Sequence, residues 1–261
     1  METSPWIGAL RQSHDALRAT VAPLDEDAVR RRSYCSEWSI AQVLSHLGSG
    51  AEIFGLFLDA GLDGTEPPGP DAFAPIWQAW NDRSPQTQAT DALAADEILV
   101  KRLEALSPQQ RDAIRLHLFG MDLDADGLAR LRLGEHAVHS WDVAVALDPS
   151  VTVAAGSVSL LIDNVAPLIG RAGRPAASPQ AIHVSTTAPD REFVLDTGEP
   201  VRLEPAADAG AGPHAGAGPA LRLPAEALIR LVYGRLDPGH TPPVEAAGVD
   251  LDDLRQVFPG F

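Results

Sequence analysis

Ahead of Pro149, apolar residues recur every three or four positions along four long stretches; beyond it they alternate in short runs. Three-to-four spacing lines one face of a helix, whereas alternation lines one face of a strand. The pattern therefore predicts a helical first half, residues 1–149, and a small α+β second half, residues 150–261. At 261 residues the chain is long enough for each half to bury a core of its own.

Punctuation along the chain refines this. Ser4-Pro5 is a cap-and-proline start for a helix whose apolar face carries Ile7, Leu10, His14, Leu17 and Val21 and which ends before Pro23. Ser39 with Gln42 is a capping-box pattern opening a second helix of about five turns, along which Val43, Leu44, Leu47, Ala51, Phe54 and Leu58 recur. "GLDGTEPPGP" reads as a loop, and "FAPIWQAWNDRS" as a short covering helix. "TDALAADEILVKRLEAL" predicts a third long helix with Asp91 near its cap. "IRLHLFGMDLDADG" alternates like a hairpin turning at Phe119-Gly120, and a fourth helix follows from about Gly127 to Leu147. Four long helices joined by loops suit an antiparallel bundle. In the second half, "SVSLLIDNVAPLIG" reads as a helix, "AIHVSTT", "EFVLDTG" and "PVRLEP" as three strands, and "ALRLPAEALIRLVYGRL" as a strand and a helix. "PAADAGAGPHAGAGPA" is low-complexity and reads as a loop with a solvated His214.

The formal charge of −16 is spread over both halves, which disfavours nucleic acid and anionic membrane surfaces as partners. Cys35 is the sole cysteine, so an intrachain disulfide and a cysteine-based zinc cluster are excluded. The opening residues carry neither a basic leader nor a long apolar run, and the expectation is a cytosolic protein.

One stretch carries the chemistry: "LRLGEHAVHSWDVAVAL", Leu131 to Leu147, is apolar at helical spacing yet holds Arg132, Glu135, His136, His139 and Asp142. On a helix, Arg132, Glu135, His139 and Asp142 share one face, and His136 lies about 100° away from Glu135. Glu135 and His139 are one turn apart, close enough for a carboxylate oxygen and an imidazole nitrogen to hold one ion. His46, in another apolar helix, could supply a second nitrogen. Three protein ligands leave a position open, as catalytic metal sites do. Asp142 or Arg132 would then orient a ligand or receive substrate. The same residues also suit a buried ladder of ion pairs, Arg132 to Glu135 and His139 to Asp142, and spacing alone does not choose between the two. Cys35 has no obvious base among its sequence neighbours, and its expected role is structural or incidental.

"EWSIAQVLSHL", "FGMDLDADGLARLRL", the E-x-x-x-H-x-x-D helix and "LIRLVYGRL", taken together, make the chain resemble the mycothiol-dependent maleylpyruvate isomerase family. That family is a branch of the DinB-like metal-binding helical bundles. The resemblance implies a four-helix bundle followed by a small sterol-carrier-like α/β domain. It implies a divalent metal, usually zinc, on His46, Glu135 and His139, and an arginine matching Arg235 directed at the substrate. It also implies mycothiol as thiol cofactor. A thiolate that adds to an electrophile, permits rotation and is then eliminated would give cis–trans isomerisation. Partners are accordingly a small electrophile and a low-molecular-weight thiol. Thiol transfer in place of isomerisation, an iron oxygenase built on the same ligands, and a metal-containing binding protein without turnover are the alternatives.

Overall fold

The computed structural model describes residues 4–207 and 218–260. Most of the predicted Ala/Gly loop, His214 included, lies outside the described residues. The chain divides into two compact units, Met1–Thr152 and Val153–Phe261.

The first unit is built on four long helices: α1 (Pro5–Val21), α3 (Ile40–Asp63), α5 (Pro85–Glu104) and α7 (Ala125–Ala144), with short helices α2 (Glu26–Val29), α4 (Phe73–Asn81) and α6 (Pro108–Ala113) between them. The Ser39–Gln42 capping box opens α3, and Gly64, at φ +64°, closes it in the left-handed conformation that glycine adopts without strain. The fifth helix starts earlier than the sequence suggests. Its cap is Ser84, whose hydroxyl accepts the Thr87 N–H, so Asp91 lies inside the helix. The reason is local: residues 85–90 are mostly polar and show no apolar period, while Ser84-Pro85 repeats the start signal of Ser4-Pro5. Asp124, accepting from the Gly127 N–H, caps α7 at Ala125, two residues before the expected start. Before it, β1 (Leu116–Leu118) and β2 (Met121–Leu123) pair as the predicted hairpin. Phe119 and Gly120 both take positive φ there, the signature of a two-residue turn matched to strand twist.

Helix α1 packs on α7 and α5, and α3 packs on α5, α7 and α4. A core of Leu17, Val21, Ile40, Val43, Leu44, Leu47, Trp80 and Val143 fills one end of this arrangement. Gly48 lies directly against the buried Trp80 ring, where a Cβ would overlap the indole.

In the second unit, helices α8 (Ala155–Leu161) and α9 (Ala166–Ala172) replace the single expected helix, because Pro167 interrupts it. Strands β3 (Ala181–Thr187), β4 (Arg191–Asp196), β5 (Arg202–Pro205), β6 (Ala220–Pro224) and β7 (Glu245–Ala247) form one sheet in the order β5-β4-β3-β6-β7. All pairs are antiparallel except β3 with β6. Ile182, Val184, Phe193, Leu195, Leu221 and Leu223 project from one face and are buried, as period-two alternation requires. Helix α10 (Ala225–Val232) packs on β6, β3, α8 and α9, and α11 (Leu251–Val257) follows near the end. Strand β7 is three exposed residues and has no alternating pattern to betray it. No helix among the described residues is long and apolar enough to cross a membrane.

Candidate metal centre

Helix α3 presents His46 two turns after its cap, and α7 presents Glu135 and His139 one turn apart. His46 Nε2 is 3.5 Å from Glu135 Oε2, and His139 Nε2 is 3.7 Å from the same oxygen. The two imidazole rings meet edge-on with centroids 4.7 Å apart. All three potential ligand atoms lie within 4.8 Å of one another. The side chains of His46, Glu135 and His139 are 37%, 43% and 11% exposed, so the cluster is open on one side. Two nitrogens, one carboxylate oxygen and an open face are a donor set that fits a divalent ion with a free coordination position.

Electrostatics favour the ionised carboxylate. Partial burial pushes the Glu135 carboxyl up. The His46 hydrogen bond, the two imidazoles and the Arg132 guanidinium together outweigh burial and hold it at about 2. His139 is pushed below its ordinary value, chiefly by burial, with Asp142 opposing. A neutral imidazole beside an ionised carboxylate is the protonation state in which both groups ligate a metal.

Asp142 sits behind this cluster and is fully buried. His139 Nδ1 donates to Asp142 Oδ2 at 2.8 Å, which fixes the ring and leaves the Nε2 lone pair facing Glu135. Cys35 is drawn in as well: its S–H donates to Asp142 Oδ2 at 3.3 Å. The Tyr34 N–H donates to the Asp142 carbonyl at 3.0 Å, and the Tyr34 ring packs on Trp141 with centroids 4.8 Å apart. Trp141 Nε1 donates to the Val151 carbonyl at 3.0 Å. Trp38, also near this segment, tilts against His46 with ring centroids 5.5 Å apart. The local sequence around Cys35 gave no hint of Asp142, because the contact is between residues far apart in the chain.

Arg132 does not pair with Glu135 in the expected ladder. Its Nη2 donates to Asp96 Oδ1 and to the Leu47 carbonyl, each at 2.8 Å, and it is buried. Asp96 on α5 is the centre of a second polar cluster: its Oδ2 lies 2.8 Å from His14 Nδ1 and 2.9 Å from His136 Nε2. The hydroxyls of Ser13 and Ser140 reach His136 Nδ1 at 2.8 and 3.1 Å. Burial pushes the Asp96 carboxyl up, and the charges of His136 and Arg132, with the histidine hydrogen bonds, hold it well below the usual range. His14, Asp96 and His136 also bring potential ligand atoms together, but Arg132 already neutralises the carboxylate and His14 Nδ1 already donates to it. A hydrogen-bonded hub accounts for those contacts. The sequence signal for Asp96 was available: it falls in register with Ala89, Ala92, Leu99 and Leu103 on an otherwise apolar face.

Arg235 belongs to the second unit, in the turn after α10. Gly234, at φ +72°, lies so close to the Gly260 backbone that only glycine fits. The Arg235 N–H donates to the Arg230 carbonyl at 2.6 Å, and Arg235 Nη1 to the Tyr233 carbonyl at 2.5 Å. Arg230 braces the same turn, donating to the carbonyls of Arg235 and His240 at 3.2 and 2.8 Å while paired with Glu226 at 2.7 Å.

The family model of the mycothiol maleylpyruvate isomerase N-terminal domain matches residues 10–144. Among solved structures, the chain is similar to a crystal structure of the mycothiol-dependent maleylpyruvate isomerase, with 13% identity, a TM-score of 0.67, and coverage of 96% of this chain and 97% of that one. A histidine-to-alanine mutant of the mycothiol-dependent maleylpyruvate isomerase gives 12% identity and a TM-score of 0.63, covering 90% and 92% of the two chains. These likenesses show a shared mixed helical and sheet fold. No curated protein matches.

Proposed function

The chain belongs to the mycothiol maleylpyruvate isomerase family, and from that premise we propose that it is a metal- and mycothiol-dependent isomerase acting on a small electrophilic alkene. One observation carries the reading: His46, Glu135 and His139, from two helices, bring two imidazoles and an ionised carboxylate together with one side open. In this reading those three residues hold the divalent ion, with zinc the best match to the nitrogen-rich donor set. The ion, when bound, would lower the pKa of a thiol and so supply thiolate at neutral pH.

The remaining roles belong to the chain's own side chains. Asp142 keeps His139 in one tautomer, with Nε2 directed at the ion site. Arg132 lends positive charge to Glu135 while anchored on Asp96. Arg235 would receive a carboxylate of substrate or thiol, as a guanidinium does well. The four-helix, DinB-like description of the first unit and the sterol-carrier-like description of the second belong to the same reading. Thiol transfer to an electrophile is the second reading, favoured by the commitment of Arg132 to Asp96, which leaves it unavailable for a dicarboxylate.

The test is metal content per chain, by elemental analysis, beside turnover of maleylpyruvate with mycothiol, in wild type and in Glu135→Gln. About one ion per wild-type chain, lost together with activity in a variant whose circular dichroism is unchanged, is the expected result. Full ion content in Glu135→Gln would remove Glu135 from the ligand set. Consumption of mycothiol with the electrophile in place of isomerised product would move the assignment to transfer.

A further inference from the structure

We propose that Cys35 is a positioning residue of the metal centre, acting through Asp142 on the ring of His139. This deepens the reading above and rests on His139 being a ligand.

The argument begins where α7 ends. Asp142 lies in the last turn of the helix, just before it gives way after Ala144, where backbone support is weakest. Its carboxylate nevertheless has to hold one orientation, because Oδ2 is the atom that accepts from His139 Nδ1 at 2.8 Å. The segment between α2 and α3 supplies that support. The Tyr34 N–H fixes the Asp142 carbonyl at 3.0 Å, and the Cys35 S–H reaches Oδ2 at 3.3 Å, so backbone and side chain are held from one direction.

The segment is itself braced. Arg32 and Ser39 form an isolated antiparallel bridge. Within it, the Ser33 N–H donates to the Trp38 carbonyl at 3.0 Å, the Trp38 N–H to the Cys35 carbonyl at 2.7 Å, and the Ser33 hydroxyl to the Cys35 carbonyl at 3.1 Å. Ser39, where the segment ends, is the cap of α3, which carries His46. The thiol thus stands at the point where one tightly folded segment meets both ligand-bearing helices. A thiol facing a carboxylate acts as a donor. Its role is to orient.

Because Cys35 is the only cysteine, its substitution perturbs no other thiol. The decisive experiment records the ring-nitrogen chemical shifts of His139 in the metal-free protein for wild type, Cys35→Ser and Cys35→Ala. Wild type and Cys35→Ser, which keeps a donor, should show the same Nδ1 and Nε2 shifts, and Cys35→Ala displaced ones, with Asp142 holding the Nδ1–H tautomer in all three. Metal affinity should fall in Cys35→Ala by no more than about tenfold, the low end for losing a direct partner of a ligating histidine, and recover in Cys35→Ser. Unaltered His139 shifts in Cys35→Ala overturn the proposal whatever the metal does, and so does a wild type lacking the Nδ1–H tautomer. The reading of the ligand trio fails by a separate observation, a wild type that binds no ion.

Discussion

Replacing Gly48 by alanine tests the packing on which the His46 helix depends. An ideal Cβ at Gly48 would stand 2.8 Å from Trp80 Cζ2 and nearer still to Cζ3 and Cη2. Carbon atoms pack at about 3.5–4.0 Å, so the indole would have to retreat by roughly 1.3–1.8 Å. It has little freedom to do so: Trp80 is 1% exposed, Arg83 lies 3.7 Å over its ring, and its carbonyl accepts from Gln88 at 3.2 Å. Overpacking of this kind costs ~1–3 kcal/mol or more, and the gain in helix propensity returns about 1 kcal/mol. With a rigid neighbour the upper part of the range applies, and Gly48→Ala is expected to lose about 2 kcal/mol. Gly8, inside α1, is the control: nothing lies within 4 Å of its would-be Cβ, so the same substitution should stabilise by up to about 1 kcal/mol. Urea unfolding followed by tryptophan fluorescence reads the first unit alone, since all five tryptophans, Trp6, Trp38, Trp77, Trp80 and Trp141, lie there. With a slope near 2 kcal/mol/M the Gly48→Ala midpoint should drop by ~1 M at constant slope. A midpoint at or above wild type would show that the ring yields, and the reasoning from contact distance would be wrong.

Asp96→Asn should be more damaging, because it leaves the Arg132 guanidinium buried without its counter-charge, a loss of about 3–5 kcal/mol; a change below about 1 kcal/mol in the same unfolding assay would contradict the hub. Glu97 gives a pH prediction. The Arg11 hydrogen bond chiefly, with Lys101 and the His14 charge, holds its carboxyl at about 2 against an ordinary 4.5. A depressed folded value means the contribution is complete above pH 4.5 and is lost as pH falls towards 2. Glu97→Gln should flatten the acid arm of the stability curve over that window, and superimposable arms for variant and wild type would rule the pairing out.

The first half of the fold was legible because its signals are local: a capping box at Ser39, a turn at Phe119-Gly120, and apolar faces that repeat with the helix. The start of α5 was missed because six mostly polar residues at its head carry no period, and only the cap and proline mark it. Short elements such as α2, α6 and β7 bury too little to leave a pattern. The meeting of His46 with Glu135 and His139 was foreseen from helical spacing and family resemblance together. The partner of Arg132 was not, because spacing within one helix proposes neighbours on that helix, while the buried charge was satisfied from α5. Cys35 illustrates the same limit: its partner is a hundred-odd residues away, and its sequence neighbours are silent about it.

Glu135 and His136 are adjacent, yet one faces the open cluster with His46 and the other the closed cluster with Asp96. The two environments thereby fix the rotational phase of α7. A turn of one residue, about 100°, would carry a second carboxylate towards buried Asp96 and take the imidazole away from it. A slip among apolar side chains costs packing, which neighbouring side chains can partly recover by relaxing, whereas two unlike charged sockets leave buried charges unpaired in every setting but one.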